Sequence, residues 1–184
     1  MSIFPIHSRE SAPESAHLTL DTVAGLFGFI PNLLGVMATS PALAEAYVAL
    51  SAIFEKSGLN AAERQVVLLA VSRFHECRYC MAAHSLAADM QQVPADVVEA
   101  IRTDNPIADP KLEALRVYVN QLIYKRGWIG ETEMGEFLAA GYEPSHALDV
   151  LVGIGQKTLS NFTNHIAHTP VDAAFEQHAW TPAE

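Results

Sequence analysis

The chain's two cysteines stand three residues apart, in Cys77-Arg78-Tyr79-Cys80, and His84 follows four residues later. If this stretch is helical, a rise of ~1.5 Å and a turn of ~100° per residue bring all three side chains close to one face. Helical cysteines at this spacing have Cα separations within the ~4.4–6.8 Å that a disulfide spans. His84 lies one turn beyond Cys80, in reach of its sulfur to accept or return a proton. A position in the first helical turn adds the helix dipole and free N–H groups, which favour a thiolate. Residue type and spacing therefore point to reversible thiol–disulfide chemistry. Two other readings attach to the same residues. One is a pair of buried structural cysteines. The other is a zinc site, whose fourth ligand would have to be brought by folding from His75, His165 or His168.

The elements that must position these residues read as helices. Ser40-Pro41 has the form of an N-cap followed by proline at the first helical position. Apolar residues at three- and four-residue steps then run from Leu43 to Phe54, and Gly58 closes the helix. Asn60 with Glu63 forms a capping-box start for a second helix through Val66, Val67 and Leu69. A break at His75 and Glu76 precedes the cysteine helix, expected over 77–91. Further helices are expected over 94–102, from Asp109-Pro110 to Gly127, over 131–140, and from Pro144 through Phe162, with a short one after Pro170. No stretch alternates long enough to form a strand, so the expected class is an all-α helical bundle. Two weak internal echoes (53–58 with 123–127, and 77–84 with 161–168) leave open a duplicated helical hairpin.

Composition sets the outer bounds. A chain of 184 residues suits one domain over 1–184, with 1–30 as an N-terminal arm and 31–172 as the core. Charged residues are 17% of the total against a typical ~25%, which points to a buried subunit interface. The formal net charge of −10, with scattered basic residues, argues against nucleic-acid binding. The first ten residues lack the pattern of a secretory signal, and no apolar run approaches the ~20 residues of a membrane span. A cytoplasmic protein without membrane attachment is expected. In a reducing compartment, a close cysteine pair is more often reactive than a passive staple. No flavin, haem or nucleotide motif is present, so neither cofactor nor bound metal is expected. Asn161, Asn164 and His165 are polar residues in an otherwise apolar helix, suited to lining a pocket or to interhelical hydrogen bonds. Trp128 and Trp180 read as core or interface aromatics.

Residues 62–72 (AERQVVLLAVS) and 77–84 (CRYCMAAH) together resemble the carboxymuconolactone decarboxylase-like superfamily, in its alkylhydroperoxidase D-like branch. Residues 29–33 (FIPNL), 40–43 (SPAL) and 160–172 (SNFTNHIAHTPVD) extend the similarity over most of the chain. The resemblance implies an all-helical subunit assembled into trimers or hexamers, and a peroxidase that reduces hydrogen or alkyl hydroperoxides with an external dithiol. By motif position, Cys80 corresponds to the cysteine oxidised to sulfenic acid, Cys77 to its proton-donating and resolving partner, and His84 to the relay histidine. Decarboxylation is not expected, because the superfamily's decarboxylases lack the cysteine pair. The contrasting reading is a redox-sensing or interaction protein whose disulfide controls assembly without efficient turnover.

Two positions depart from the family pattern. The relay glutamate expected twelve residues before the first cysteine is Gln65 here. A glutamine orients a hydrogen bond but carries no proton at neutral pH. His84 is then expected to titrate near an ordinary ~6.5, and the thiolate to depend on the helix N-terminus and on His84. Glu63 is the alternative relay, although capping Asn60 is the better use of it. Tyr79 stands where some members carry histidine. It is expected either to donate a hydrogen bond to peroxide or to pack at a subunit boundary. His75 is expected in a surface loop, with stabilisation of a thiolate as its second reading.

Overall fold

The computed structural model describes residues 3–182 and, among these, nine α-helices, two short 3₁₀ turns and no strand. The helices are α1 (His17–Phe27), α2 (Asn32–Met37), α3 (Pro41–Phe54), α4 (Ala61–Phe74), α5 (Arg78–Met90), α6 (Ala95–Arg102), α7 (Pro110–Tyr124), α8 (Glu131–Ala139) and α9 (Pro144–Ala167). The fold is all-α. Among the described residues, no helix is long and apolar enough to cross a membrane.

Local signals fix most boundaries. Asn60 Oδ1 accepts the Glu63 amide at 3.0 Å, and Glu63 Oε2 accepts the Asn60 amide at 2.8 Å, closing the capping box of α4. Asp109 caps α7 by accepting from the Lys111 and Leu112 amides. Proline starts α3, α7 and α9. Two endings differ from expectation. α3 stops at Phe54, four residues before Gly58, because the chain from Lys56 onward turns through i→i+3 bonds. α7 stops at Tyr124, and Arg126 and Gly127 turn it with left-handed φ of 55° and 87°. The short helix expected after Pro170 is a 3₁₀ helix, Ala173–His178.

α4 is the axis of the molecule. Val66 to Ser72 are all buried, so the helix contacts neighbours on every side. On one side, α6, α7 and α8 build a cluster around Leu115, Val119 and Phe137. On the other, the N-terminal segment and α2, α3 and α5 build a second cluster that holds both cysteines. Leu20 and Val23 of α1 and Phe175 of the last turn are buried in this second cluster.

α9 crosses α3 and α4, and Gly153 sets how closely. A Cβ at that position would stand 2.7 Å from Val67 Cγ1 and 2.9 Å from Phe54 Cζ. Beyond Gly153 the usual amphipathic arrangement is reversed. Gln156, Lys157, Ser160, Asn161 and Asn164 face inward, while Phe162 and Ile166 are exposed, as are Leu148 and Leu151 earlier in the helix. Polar groups buried in this way must serve one another or a site, because burial without a partner is costly.

Candidate functional site

A tight connection aims the cysteines. α4 ends at Phe74, Glu76 turns the chain with φ of 54°, and the Cys77 amide donates back to the Ser72 carbonyl at 2.9 Å. Cys77 is therefore the N-cap of α5 and Cys80 lies in its first turn, where unpaired backbone N–H groups converge. Both thiols are free and buried, at 1% and 2% exposure. Asn164 joins them across the helix interface: its Nδ2 donates to Cys80 Sγ at 3.3 Å and approaches Cys77 Sγ at 3.8 Å.

Lys157 supplies the charge. It is 0% exposed, its ammonium has no hydrogen-bond partner, and its field acts on Cys80, Cys77, Tyr47 and His84. Burial alone would raise the Cys80 thiol. The hydrogen bond from Cys77, the Lys157 charge and the Ser160 hydroxyl outweigh it and hold Cys80 well below its ordinary value. Cys77 moves the opposite way, first because it donates to the Cys80 thiolate and then because it is buried. Both directions favour placing the charge of the pair on Cys80 rather than on Cys77. Lys157 stays protonated despite burial, because the thiolate lies beside it.

His84 behaves differently from expectation. Burial, reinforced by Lys157, holds it well below an ordinary histidine, so it is neutral at physiological pH. A neutral imidazole brings no positive charge to a thiolate, and that part falls to Lys157. His84 Nδ1 faces Gln65 Oε1 at 3.2 Å, while Gln65 Nε2 donates to Gln91 Oε1 at 3.2 Å. With Gln65 Nε2 given to Gln91, its oxygen faces His84, a contact satisfied by the tautomer that carries its proton on Nδ1. Gln65 therefore lies where a partner for His84 is needed and acts as an acceptor.

The other candidates are placed elsewhere. Glu63 is committed to the capping box and to Lys111 at 2.8 Å, which leaves it no part in the thiol site. Tyr79 packs on Phe175 with ring centroids 5.8 Å apart, and its hydroxyl donates to Asp172 Oδ2 at 2.5 Å. It is buried within its own chain and also lines the cavity beside Cys77. Tyr79 and Asp172 together receive the backbone amides of Leu33 and Asn32, tying α2, α5 and the C-terminal segment into one knot. His75 packs its ring against Phe74 and Phe162, and burial lowers its pKa. It carries no charge to the thiols. His165 is exposed and borders a cavity of about 480 Å³ that has Cys77 and Asn164 in its wall, with Arg78, His168 and Thr169 around it. Trp180 is buried and stacks on Arg73, whereas Trp128 is 84% exposed and so is not a core residue of this chain. No group of three or more His, Cys, Asp or Glu among the described residues is placed to hold a metal ion.

Lys157 and Ser160 were missed by sequence reasoning. A lone lysine in a long helix ordinarily reads as solvated. The available signal was the stripe 156, 157, 160, 161, 164, which keeps polar residues on a single helical face.

Comparison with known proteins bears on the fold and on the segment that holds the cysteines. Residues 41–118, spanning α3 to α7 and both cysteines, match the carboxymuconolactone decarboxylase family. No curated protein matches the sequence significantly. Among solved structures, the chain is similar to an uncharacterised peroxidase-related protein with an alkylhydroperoxidase AhpD core from Ralstonia eutropha JMP134. Identity is 20%, coverage 95% of this chain and 94% of that one, and the TM-score 0.79. A peroxidase-related protein from Silicibacter sp. TM1040 gives 17% identity, 94% and 92% coverage and a TM-score of 0.79. A debrominase, Bmp8, solved in complex with 2,3,4-tribromopyrrole, gives 16%, 97% and 96%, and 0.79. The segment holding both thiols thus matches the model of the carboxymuconolactone decarboxylase family, in a chain with the fold of the alkylhydroperoxidase AhpD core.

Proposed function

We propose that the protein is a thiol-dependent peroxidase that reduces hydrogen or alkyl hydroperoxides through a Cys77–Cys80 disulfide cycle. The observation that carries this reading is the geometry of the pair: two free thiols at the N-terminus of α5, joined by Asn164 Nδ2 at 3.3 and 3.8 Å, with Cys80 pushed toward the thiolate and Cys77 toward the thiol. A thiolate is the nucleophile that attacks an O–O bond, and a neighbouring thiol is what condenses with the sulfenic acid formed. Cys80 attacks the peroxide and becomes the sulfenic acid. Cys77 then displaces water from it and closes the disulfide. An external dithiol restores both thiols by exchange. His84, one turn beyond Cys80, pairs with Gln65, which is held in turn by Gln91. Fold alone does not select the substrate, since one fold hosts several chemistries.

The reading includes a homo-oligomer, a trimer or hexamer, and the exposed side chains of Leu148, Leu151, Phe162 and Ile166 on α9 support it. The near-complete burial of both sulfurs favours a second reading, a redox-responsive interaction protein that is oxidised once and does not turn over. Steady-state peroxide consumption with a supplied dithiol separates the two. Continuous turnover that is lost in Cys80→Ser supports the peroxidase. A single equivalent consumed per chain, followed by a stall with excess dithiol present, refutes it.

A further inference from the structure

We propose that Lys157 is the acid of this site: its ammonium holds Cys80 ionised at rest, then gives its proton to the departing oxygen, so oxidation leaves a neutral amine. The proposal rests on the hydroperoxide reading above. Lys157 is 0% exposed and Nζ has no hydrogen-bond partner. It lies on the inward face of α9, one turn before Asn161 and two before Asn164, whose amide meets both sulfurs. An isolated buried ammonium is costly, so it must be neutralised by a nearby anion or by loss of its proton.

The charged and titratable neighbours are few. From α5 come Cys77, Cys80 and His84, and from α3 comes Tyr47, whose phenol burial keeps protonated. α2 brings no charged side chain. The ionic groups of α4 are engaged elsewhere: Glu63 with Lys111, Arg64 with Glu55, Arg73 with Asp104. The one remaining anion is the Cys80 thiolate.

Proton accounting makes the same assignment. Attack by Cys80 forms an S–O bond, breaks the O–O bond and transfers two electrons from sulfur to oxygen. The departing alkoxide or hydroxide needs one proton. His84 is neutral and its single ring proton faces Gln65, so it has none to give. Cys77 keeps its proton for the second step, where it leaves with the sulfenic hydroxyl as water when the disulfide closes. Lys157 holds the uncommitted proton. Its transfer yields alcohol or water, a neutral sulfenic acid and a neutral amine, so no buried charge is left stranded. The dithiol reductant later supplies two protons, one to Cys77 and one to the amine, as Cys80 leaves as a thiolate.

Two substitutions in the full-length protein separate the two roles. Lys157→Arg keeps a positive charge but has no dissociable proton in the usable range, whereas Lys157→Met removes both. Alkylation of Cys80 by iodoacetamide against pH reads the ionisation, and single-turnover oxidation by hydrogen peroxide reads the proton transfer. Lys157→Arg should keep a low alkylation midpoint yet oxidise ~10²-fold more slowly or worse, the scale of a lost general acid. Lys157→Met should move the midpoint to or above the ordinary ~8.5 of a cysteine. Above its own midpoint, where Cys80 is fully ionised, Lys157→Met should still oxidise at least ~10²-fold more slowly than wild type. This comparison decides the acid role even if Lys157→Arg fails to fold. An unmoved midpoint in Lys157→Met overturns the thiolate-holding role. Wild-type oxidation by Lys157→Arg, or by fully ionised Lys157→Met, overturns the acid role. A wild-type protein inert to peroxide overturns the hydroperoxide reading and the acid role with it, while a shifted midpoint still supports Lys157 as holder of the thiolate.

Discussion

At the residue scale, the candidate site gathers two buried thiols, the Asn164 amide and a fully buried lysine. Cys77 and Cys80 were legible in the sequence as a pair, because their spacing places both at one helix N-terminus. Lys157 was not legible, because it lies 77 residues beyond Cys80 and joins the site only when α9 crosses α4 and α5. The near-ordinary titration expected of His84 failed for the same reason: sequence shows the missing carboxylate at Gln65 but not the burial or the cation. Gln65→Glu should place a carboxylate on His84 Nδ1 and raise the histidine's pKa. The peroxide rate should then rise and gain a pH-dependent limb, read from rates across pH 5–9. An unchanged profile would show that position 65 does not influence proton transfer. His84 also makes a signed stability prediction. Its folded pKa is depressed below the ~6.5 of the unfolded chain, so the unfolded state binds the extra proton. Stability should fall as pH drops through about 6.5 and level off below the folded-state pKa. Denaturant unfolding of His84→Asn should show a smaller loss between pH 7.5 and 5.5 than wild type, and an equal loss would contradict the depressed value.

At the element scale, helix starts were readable because caps are local: Asn60 with Glu63, Asp109, and proline at three helix starts. Helix ends were less readable, since Arg126 adopts a left-handed conformation that its residue type does not announce. The connections that fix the site were hidden as well. Tyr79 is held by Asp172, 93 residues away, and this explains why segments 29–33 and 160–172 accompany the cysteine motif. Asn60→Ala should cost about 1 kcal/mol of stability through the lost cap, with the thiol reactivity unchanged. Gly153→Ala is predicted to do more. Its Cβ overlaps Val67 and Phe54, which should destabilise the protein by about 1–3 kcal/mol. The displaced α9 should also carry Lys157 away from Cys80 and raise the alkylation midpoint. Full stability in Gly153→Ala would show that α9 yields without consequence.

At the scale of the whole molecule, α9 has a polar face turned inward and an apolar face turned outward. The inward face builds the thiol site, while Leu148, Leu151, Phe162 and Ile166 remain uncovered on a single chain. The low charge content pointed to an interface, but which apolar side chains stay uncovered needed the structure, because apolar residues on a helix ordinarily read as facing the core. Light scattering at micromolar concentration should report a multiple of the 20.0 kDa chain. The pair Leu148→Glu and Ile166→Glu should reduce that mass, and a monomeric wild-type protein would remove the oligomer from the account.

The central claim is that Cys80 attacks a hydroperoxide and Cys77 resolves it. Its most direct test treats the reduced protein with one equivalent of hydrogen peroxide and maps the products by mass spectrometry, with a sulfenic-acid trap present in parallel. The account predicts one peroxide consumed per chain, a Cys77–Cys80 disulfide in wild type, and a trapped sulfenic acid on Cys80 in Cys77→Ser. Two free thiols after treatment, or a trapped sulfenic acid on Cys77 in Cys80→Ser at the wild-type rate, would contradict it.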